Sequence, residues 1–322
     1  MKGKGTKITI LITIFIVLEI SLVTETHAKY VKLQENIYIE EYQTIKEKIN
    51  NALEGSIIHI KSGTYSEIIN IKKKITLIGE SKDTTIINPI SEKNKYGIRL
   101  GAPDITIKNL SISNGGPGLY TTGIKITSSG VKIEDCKIYD TPIGIAIFTS
   151  NNIIKNCEFW GCKDEGIALI GSLYSDCKNN EIRNCIFHNN CDGIELQYSS
   201  ENTIINCEFF DNTHSGIDAI SLSNDKNIIS NCKIYNNNVH GIYLHSSSDN
   251  QIIDCIFFNN KDGNIVECKN SQNNVIKNSN NEYQENNIME RLINFLKLFQ
   301  KRYPKVRVIL ISIFDSYQNL HF

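Results

Sequence analysis

The chain has almost no net charge, since 34 Lys and Arg stand against 35 Asp and Glu and leave −1 at neutral pH. It therefore lacks the basic field on which nucleic acid binding depends. Cys-x-x-Cys is absent among the ten cysteines, which removes the usual zinc and redox spacings. Past the N-terminus, no repeat interval contains an uninterrupted helical stretch of about ten to twelve residues, so βαβ units and leucine-rich horseshoes are excluded. With 40% hydrophobic and 21% charged residues in 322, the remainder is an ordinary folded composition, and disorder is excluded.

The two ends read differently from the middle. Lys2, Lys4 and Lys7 precede an apolar run from Ile8 to Leu18, and Thr26-His27-Ala28 places small residues at a cleavage site after Ala28. A run of about eleven residues is too short to span a bilayer of roughly 30 Å, so 1–28 reads as a signal peptide, with an uncleaved anchor reaching Val23 as the alternative. Either way the rest of the chain is expected in the cell envelope or outside the cell. At the other end, Ile288, Leu292, Ile293, Phe295, Leu296 and Phe299 form an apolar helical stripe, followed by Pro304 and a basic tail with Lys301, Arg302, Lys305 and Arg307. That segment, 283–322, is expected to form a helical C-terminal cap with a basic surface suited to membrane contact.

Between the ends the chain repeats. Gly-Ile recurs at Gly123, Gly144, Gly166, Gly193, Gly216 and Gly241, and Gly263 continues the series without the isoleucine. A second phrase, Ile-x-[Asn/Asp]-Cys-x-[Ile/Phe], places Cys136, Cys157, Cys185, Cys207, Cys232 and Cys255 each three residues after an isoleucine. Five residues before most of these cysteines stands an asparagine: Asn152, Asn180, Asn202, Asn227 and Asn250, with Asn274 before Ser279 in a last copy. Short period-two runs repeating every 21 to 27 residues or so describe stacked coils of short strands, because one coil cannot bury its apolar face alone. The predicted fold is an all-β, right-handed, single-stranded parallel β-helix of about ten coils over 57–282. An amphipathic N-terminal cap over 29–56 has its helix at Tyr42–Leu53. In this register the six cysteines form an inward column of free thiols, against the alternatives of inter-rung disulfides or a soft-metal column. The asparagines bind one coil to the next. Cys162, Cys177, Cys191 and Cys268 fall outside the column and are expected to be reactive or paired.

The opening segment, Ser62-Gly63-Thr64-Tyr65-x-Glu67 followed by Ile75-Thr76-Leu77-Ile78-Gly79-Glu80, resembles the first coil of NosD-like and pectin-lyase-like parallel β-helices. The Gly-Ile and Ile-x-Asn-Cys phrases resemble their generic repeat, with Cys in place of an inward Asn. The resemblance covers roughly Tyr42 to Asn281 and specifies fold better than function. It implies a surface or envelope protein that binds or presents itself to polysaccharide or cell-surface glycan. It also implies two alternatives: a polysaccharide lyase, epimerase or glycoside hydrolase, and, as a third, an accessory factor for a copper centre. Met1 and Met289 are the only methionines, which disfavours the last. Of the polygalacturonase-like motifs only His240-Gly241 is present, and the arginine-dependent pectinesterase pattern finds little beyond Arg99 and Arg183.

Stacked coils turn equal offsets into surface stripes. Two residues after the repeat glycine stand Lys125, Ala146, Ala168, Glu195, Asp218 and Tyr243; immediately before it stand Glu165, Asp192 and His240; one further back are Asp164 and His214. Glu195 and Asp218 should lie one strand spacing apart, about 5 Å. That suits a retaining pair of carboxylates, or a Ca²⁺ site built on Glu195 and Asp218. The candidate catalytic residues are thus Asp192, Glu195 and Asp218 as acids or bases, with His214 or His240 moving a proton. The plain alternative is that outward positions of a solenoid are polar because water reaches them.

Overall fold

The computed structural model describes residues 36–39, 44–89, 95–113, 116–175, 177–220, 223–268 and 270–279. The signal segment and the C-terminal cap read from the sequence lie outside these residues. The described chain winds into a parallel β-solenoid of about ten coils, with three sheets running along its length. The first sheet has eleven strands and runs from Asn36–Ile39 through Ile57–Ile60 to Val275–Lys277. The second has nine strands, from Gly63–Tyr65 to Ile256–Phe258, and the third also nine, from Ile69–Ile71 to Gly263–Glu267. A minor pair joins Cys177–Lys178 to Ser199–Ser200.

Corners explain the repeated phrase. The residue before each ladder cysteine has positive φ: Asp135, Asn156, Asn184, Asn206, Asn231 and Asp254 all lie between 51° and 55°. Asn and Asp tolerate this left-handed conformation better than other side chains, so "Asn-Cys" is a corner followed by an inward residue. Corners of the same kind stand five residues to either side, as in Asn179, Asn184 and Asn189, or Lys226, Asn231 and Asn236. From the coil of Asp135 onward, two sides are therefore fixed five-residue segments. In these coils the variation in repeat length falls on the third side, which carries the Gly-Ile strand and its loops; earlier in the chain the step from Thr76 to Ile86 takes ten residues where its register partner, Thr106 to Ser111, takes five.

The glycine column has a different cause. A Cβ on Gly144 would stand 2.3 Å from the carbonyl oxygen of Gly166, and one on Gly193 would meet Gly216 O at 2.5 Å and Phe209 Cδ1 at 2.6 Å. The coils approach too closely for any side chain there. This also corrects the sequence phase of the last copy. Ile265 pairs with Ile242 and Gly263 with His240, so Asn264, not Gly263, occupies the glycine column. Gly263–Glu267 is the edge strand of its sheet, so among the described residues no further coil crowds Asn264.

Inside, isoleucine, phenylalanine and cysteine stack in continuous columns. Phe159, Phe187 and Phe209 are fully buried and stack face to face at 4.7 and 4.8 Å. Cys136, Cys157, Cys185, Cys207, Cys232 and Cys255 are buried and free, each thiol directed at the carbonyl two residues earlier, for example Cys157 Sγ to Lys155 O at 3.2 Å. The asparagine column is a hydrogen-bonded ladder, in which Asn152 Nδ2 donates to Asn180 Oδ1 at 2.9 Å and Asn180 Nδ2 to Asn202 Oδ1 at 3.0 Å. A second such ladder, unread in the sequence, runs through Asn190, Asn212, Asn237 and Asn260 at distances of 2.8–3.1 Å.

Cys162 belongs to this second ladder. Its N–H donates to Asn190 Oδ1 at 3.0 Å, and its thiol sits 3.6 Å from Thr141 Oγ1. Burial pushes the thiol up to about 12, and the buried Cys177 up to about 11. The expectation that these two are reactive is thus corrected, because a buried thiol yields little thiolate. Cys191 is half-buried and is also raised to about 11, by burial and by the charges of Asp192 and Asp164. Cys268 differs. The backbone N–H groups of Asn270 and Ser246 outweigh what burial does to it, and its pKa is lowered. Alkylation of the native protein at pH 8, read by peptide mass spectrometry, should modify Cys268 at least about 100-fold faster than Cys162 or Cys177. Equal rates would mean that the coils open on the labelling timescale.

At the start, the helix Ile45–Asn51 buries Ile45 and Ile49 in the core. Glu67 of the opening motif accepts from the N–H groups of Ile45 and Lys46 at 2.8 and 3.0 Å, while Glu80 accepts from Ser62 N and Oγ, both at 2.8 Å. The acidic residues of that motif therefore fasten the helix and the first corner to the coils.

Candidate functional site on the third sheet

The strands of the third sheet turn alternate residues outward, and a bend at each repeat glycine brings the residue before it to the same outer side as the residue two after it. Ile194 and Leu196 enter the core, whereas Asp192 and Glu195 do not. One outward column reads Arg99, Lys125, Ala146, Ala168, Glu195, Asp218 and Tyr243 in strict register. The sequence stripe therefore stacks in that order. Its basic end, small apolar middle and acidic band are successive coils of one face.

The acidic band is more deeply placed than a solvated face would be. Glu165, Asp192, Glu195 and Asp218 are 4%, 4%, 7% and 2% exposed. This corrects the reading that outward positions here are polar because water reaches them. His214 reaches across from the segment before Gly216: its Nδ1 lies 2.8 Å from Asp192 Oδ1 and 3.3 Å from Asp218 Oδ2. The backbone N–H of Ser215 donates to the same Asp192 oxygen at 2.7 Å and fixes its orientation. Glu195 takes a different direction and accepts from Gln197 Nε2. His240 stands edge-on to His214 at 6.3 Å between ring centroids and stacks on Tyr243 at 4.8 Å. Of the five sequence candidates, Asp192, His214 and Asp218 thus converge; Glu195 and His240 flank them.

The electrostatics follow from burying several carboxylates together. Burial, then the charge of Asp192, pushes Asp218 up to about 7, against the opposing pull of His214. Burial, then the charge of the adjacent Glu195, pushes Glu165 up to about 10. Burial also raises Asp164, with Glu195 and Asp192 adding to it. Burial opposes a charge on His214, but Asp192 and Asp218 outweigh it and its pKa is raised. His240 is lowered by burial and by the neighbouring His214. Asp218 Oδ1, Glu165 Oε2 and His240 Nδ1 are buried without a hydrogen-bond partner among the described residues.

Beside the acidic band the same face is apolar. Ile143, Ala146 and Ala168 form a small buried cluster on the outer side, with Phe148 and Ile170 packed on it and Lys125 Nζ 4.7 Å above the Phe148 ring. The loops bounding this sheet present Leu119 and Tyr120 on the approach side, and Leu173 and Tyr174 on the exit side, at 62%, 72%, 77% and 97% exposure. Sequence reasoning missed both pairs because they lie outside the repeat register, and a search for apolar residues in non-repeating insertions would have found them.

A family description, the right-handed beta helix region, matches residues 57–225 and 175–291, well over half of the chain. The chain belongs to the right-handed beta helix family. No curated protein matches it in sequence. Among solved structures this beta helix is similar to the enzymatically active domain of tailspike protein 2 of bacteriophage CBA120, with 12% identity and a TM-score of 0.57 over 76% of the chain; it spans 41% of that domain's length. It is also similar to pectate lyase Pel9A, at 13% identity and a TM-score of 0.56, covering 77% of this chain and 78% of the lyase. A third likeness is the periplasmic alginate epimerase AlgG, at 16% identity and a TM-score of 0.50, covering 70% and 61%. At these identities the shared property is the fold.

Proposed function

We propose that this beta helix is an exported protein that binds polysaccharide along the outer face of its third sheet. The observation that carries the proposal is the continuous apolar and acidic strip on that face, flanked by exposed aromatic loops. Phe148, Tyr120 and Tyr174 offer ring surface, and exposed apolar residues grouped on one face of a soluble protein mark a contact site. Coils stacked about 4.8 Å apart present one row of side chains after another, and an extended polymer can follow such a row. The fold relatives named above act on polymeric sugars or serve phages as tailspikes, which supports the same reading by analogy. Export rests on the N-terminal apolar run.

Turnover of the bound polymer is a second reading, favoured by the convergence of Asp192, His214 and Asp218 at one end of the strip. Both readings are tested together by retention of the purified chain on a panel of acidic and neutral polysaccharides in affinity electrophoresis, alongside reducing-end release and absorbance of unsaturated sugars. The binding reading expects retention by at least one polymer, reduced about tenfold in Tyr120→Ser with Tyr174→Ser. Turnover that disappears in Asp192→Asn supports the second reading. No retention by any polymer overturns the first, and turnover untouched by Asp192→Asn overturns the site.

A further inference from the structure

We propose that Asp192, His214 and Asp218 form a binding site for a divalent metal ion of the zinc or manganese(II) class. The inference stands on donor geometry and does not require the polysaccharide reading.

Three side chains from two adjacent coils each offer one donor atom, and the three atoms lie within 4.8 Å of one another. Metal–ligand bonds of about 2.0–2.2 Å place the donors of a tetrahedral site roughly 3.3–3.6 Å apart, and His214 Nδ1 lies 2.8 Å from Asp192 Oδ1 and 3.3 Å from Asp218 Oδ2, close to that spacing. Asp192 opens its strand and Asp218 lies within the next, while His214 stands on the bend before Gly216, where its N–H donates to Cys191 O at 2.9 Å and its carbonyl accepts from Val239 N at 2.8 Å. A close cluster is not in itself a site, and a second observation points to a ligand. Asp218 is 2% exposed, yet its Oδ1 has no hydrogen-bond partner among the described residues. Buried carboxylates normally recruit donors to both oxygens. Here one oxygen faces His214, and the other is left for a group that the described residues do not supply.

The charge balance points the same way. The ion pairs described for Asp192 and Asp218 are both with His214, while Glu195 on the strand of Asp192 and Glu165 on the coil before add further carboxylates. A divalent cation would neutralise Asp192 and Asp218 and accept the imidazole nitrogen in its neutral form. The donor set selects the class of ion. Ca²⁺ gathers six to eight oxygens, whereas imidazole with two carboxylates suits borderline first-row ions. Ser215 N–H on Asp192 Oδ1 supplies the outer contact that keeps a ligating carboxylate in place. His214 is 40% exposed, which leaves a way in from solvent, and three protein ligands leave a coordination position for water or a substrate oxygen.

The test uses the full chain in a Cys268→Ser background, so that the accessible thiol does not compete, after removal of metal by chelator. Titration with Zn²⁺, Mn²⁺ and Ca²⁺ by calorimetry should give one equivalent of Zn²⁺ or Mn²⁺ at micromolar Kd or tighter and Ca²⁺ at least about tenfold weaker, with a rise in Tm on binding. Asp218→Asn and His214→Gln should each weaken binding at least about 100-fold while leaving the far-ultraviolet spectrum unchanged, and Glu195→Gln should keep it. Co²⁺ gives a readout that needs no variant: visible d–d bands without thiolate charge transfer are expected. Absence of Zn²⁺ and Mn²⁺ binding at 100-micromolar levels overturns the site. So do thiolate charge transfer with Co²⁺, binding unaffected by both ligand substitutions, and a preference for Ca²⁺.

Discussion

Phe187→Ala is expected to destabilise the protein by about 4–5 kcal/mol, seen as a lower midpoint in urea or thermal unfolding followed by circular dichroism. Phe187 is fully buried and stacked on Phe159 above and Phe209 below at 4.7 and 4.8 Å, so the substitution removes both ring contacts and opens a cavity between coils. Its Cδ1 also lies 2.8 Å from where a Cβ on Gly166 would be, so the ring fills the space that the glycine column leaves. Neighbouring coils cannot collapse into the cavity, because the register of all three sheets fixes their spacing on either side. Phe187→Leu, which keeps most of the volume and loses the stacking, should lie nearer about 1–2 kcal/mol. A loss below about 2 kcal/mol for the alanine variant would mean that the column is loosely packed.

That packing explains how much of the fold was legible. The Gly-Ile phrase is written into the sequence because coil approach forbids a side chain, and the Asn-Cys phrase because a left-handed corner precedes an inward residue. Each is a rigid, local demand, so each recurs in phase. The phase was lost once, at Gly263, where the edge coil has no described neighbour to exclude Asn264. The second asparagine ladder carried an equally regular signal: Asn190, Asn212, Asn237 and Asn260 stand five residues after a ladder cysteine, mirroring the asparagines five before. Reading the offset in both directions would have placed Cys162 in that ladder and removed the expectation that it is reactive.

The site was less legible, for a physical reason. Register alone stacks Glu195 on Asp218, and that adjacency is present. Side-chain direction decides the rest. Glu195 turns to Gln197, whereas His214, two residues before Gly216, meets Asp218 on its own coil and reaches across to Asp192 on the coil before. A repeat alignment gives His214 an offset beside Asp164 but not the direction of its ring. Nor does it show burial: alternation marks which residues leave the core, while the fraction of a carboxylate that water still reaches depends on neighbours from three coils at once.

Asn202→Ala is expected to destabilise by about 3–5 kcal/mol at pH 7, the second large effect. Asn202 Oδ1 accepts from Asn180 N and Nδ2 at 2.9 and 3.0 Å, and its own Nδ2 donates to Cys177 O, Ser199 Oγ and Asn227 Oδ1 at 3.1, 2.9 and 3.2 Å. Alanine leaves the Asn180 N–H, buried between coils, without its acceptor, and strips Asn227 Oδ1 of one donor. Neither group can turn to water, since all three asparagines are at most 2% exposed. Asn202→Asp separates the hydrogen-bond loss from the charge. It keeps both acceptors but places a carboxylate against Asn227 Oδ1, so burial would raise its folded-state pKa above the unfolded value near 3.9. The folded state then holds its proton more tightly than the unfolded state does. The variant's deficit should be smallest below pH 4, grow as pH rises through the interval between the two values, and be complete above the folded one. As a control, Asn206→Gly keeps the left-handed corner at φ 54° and gives up only an exposed contact to Asn184 at 3.3 Å, so it should stay within about 1 kcal/mol of the parent. A flat pH profile for Asn202→Asp, or a control as damaging as Asn202→Ala, would show that the ladder contributes corner geometry rather than buried hydrogen bonds.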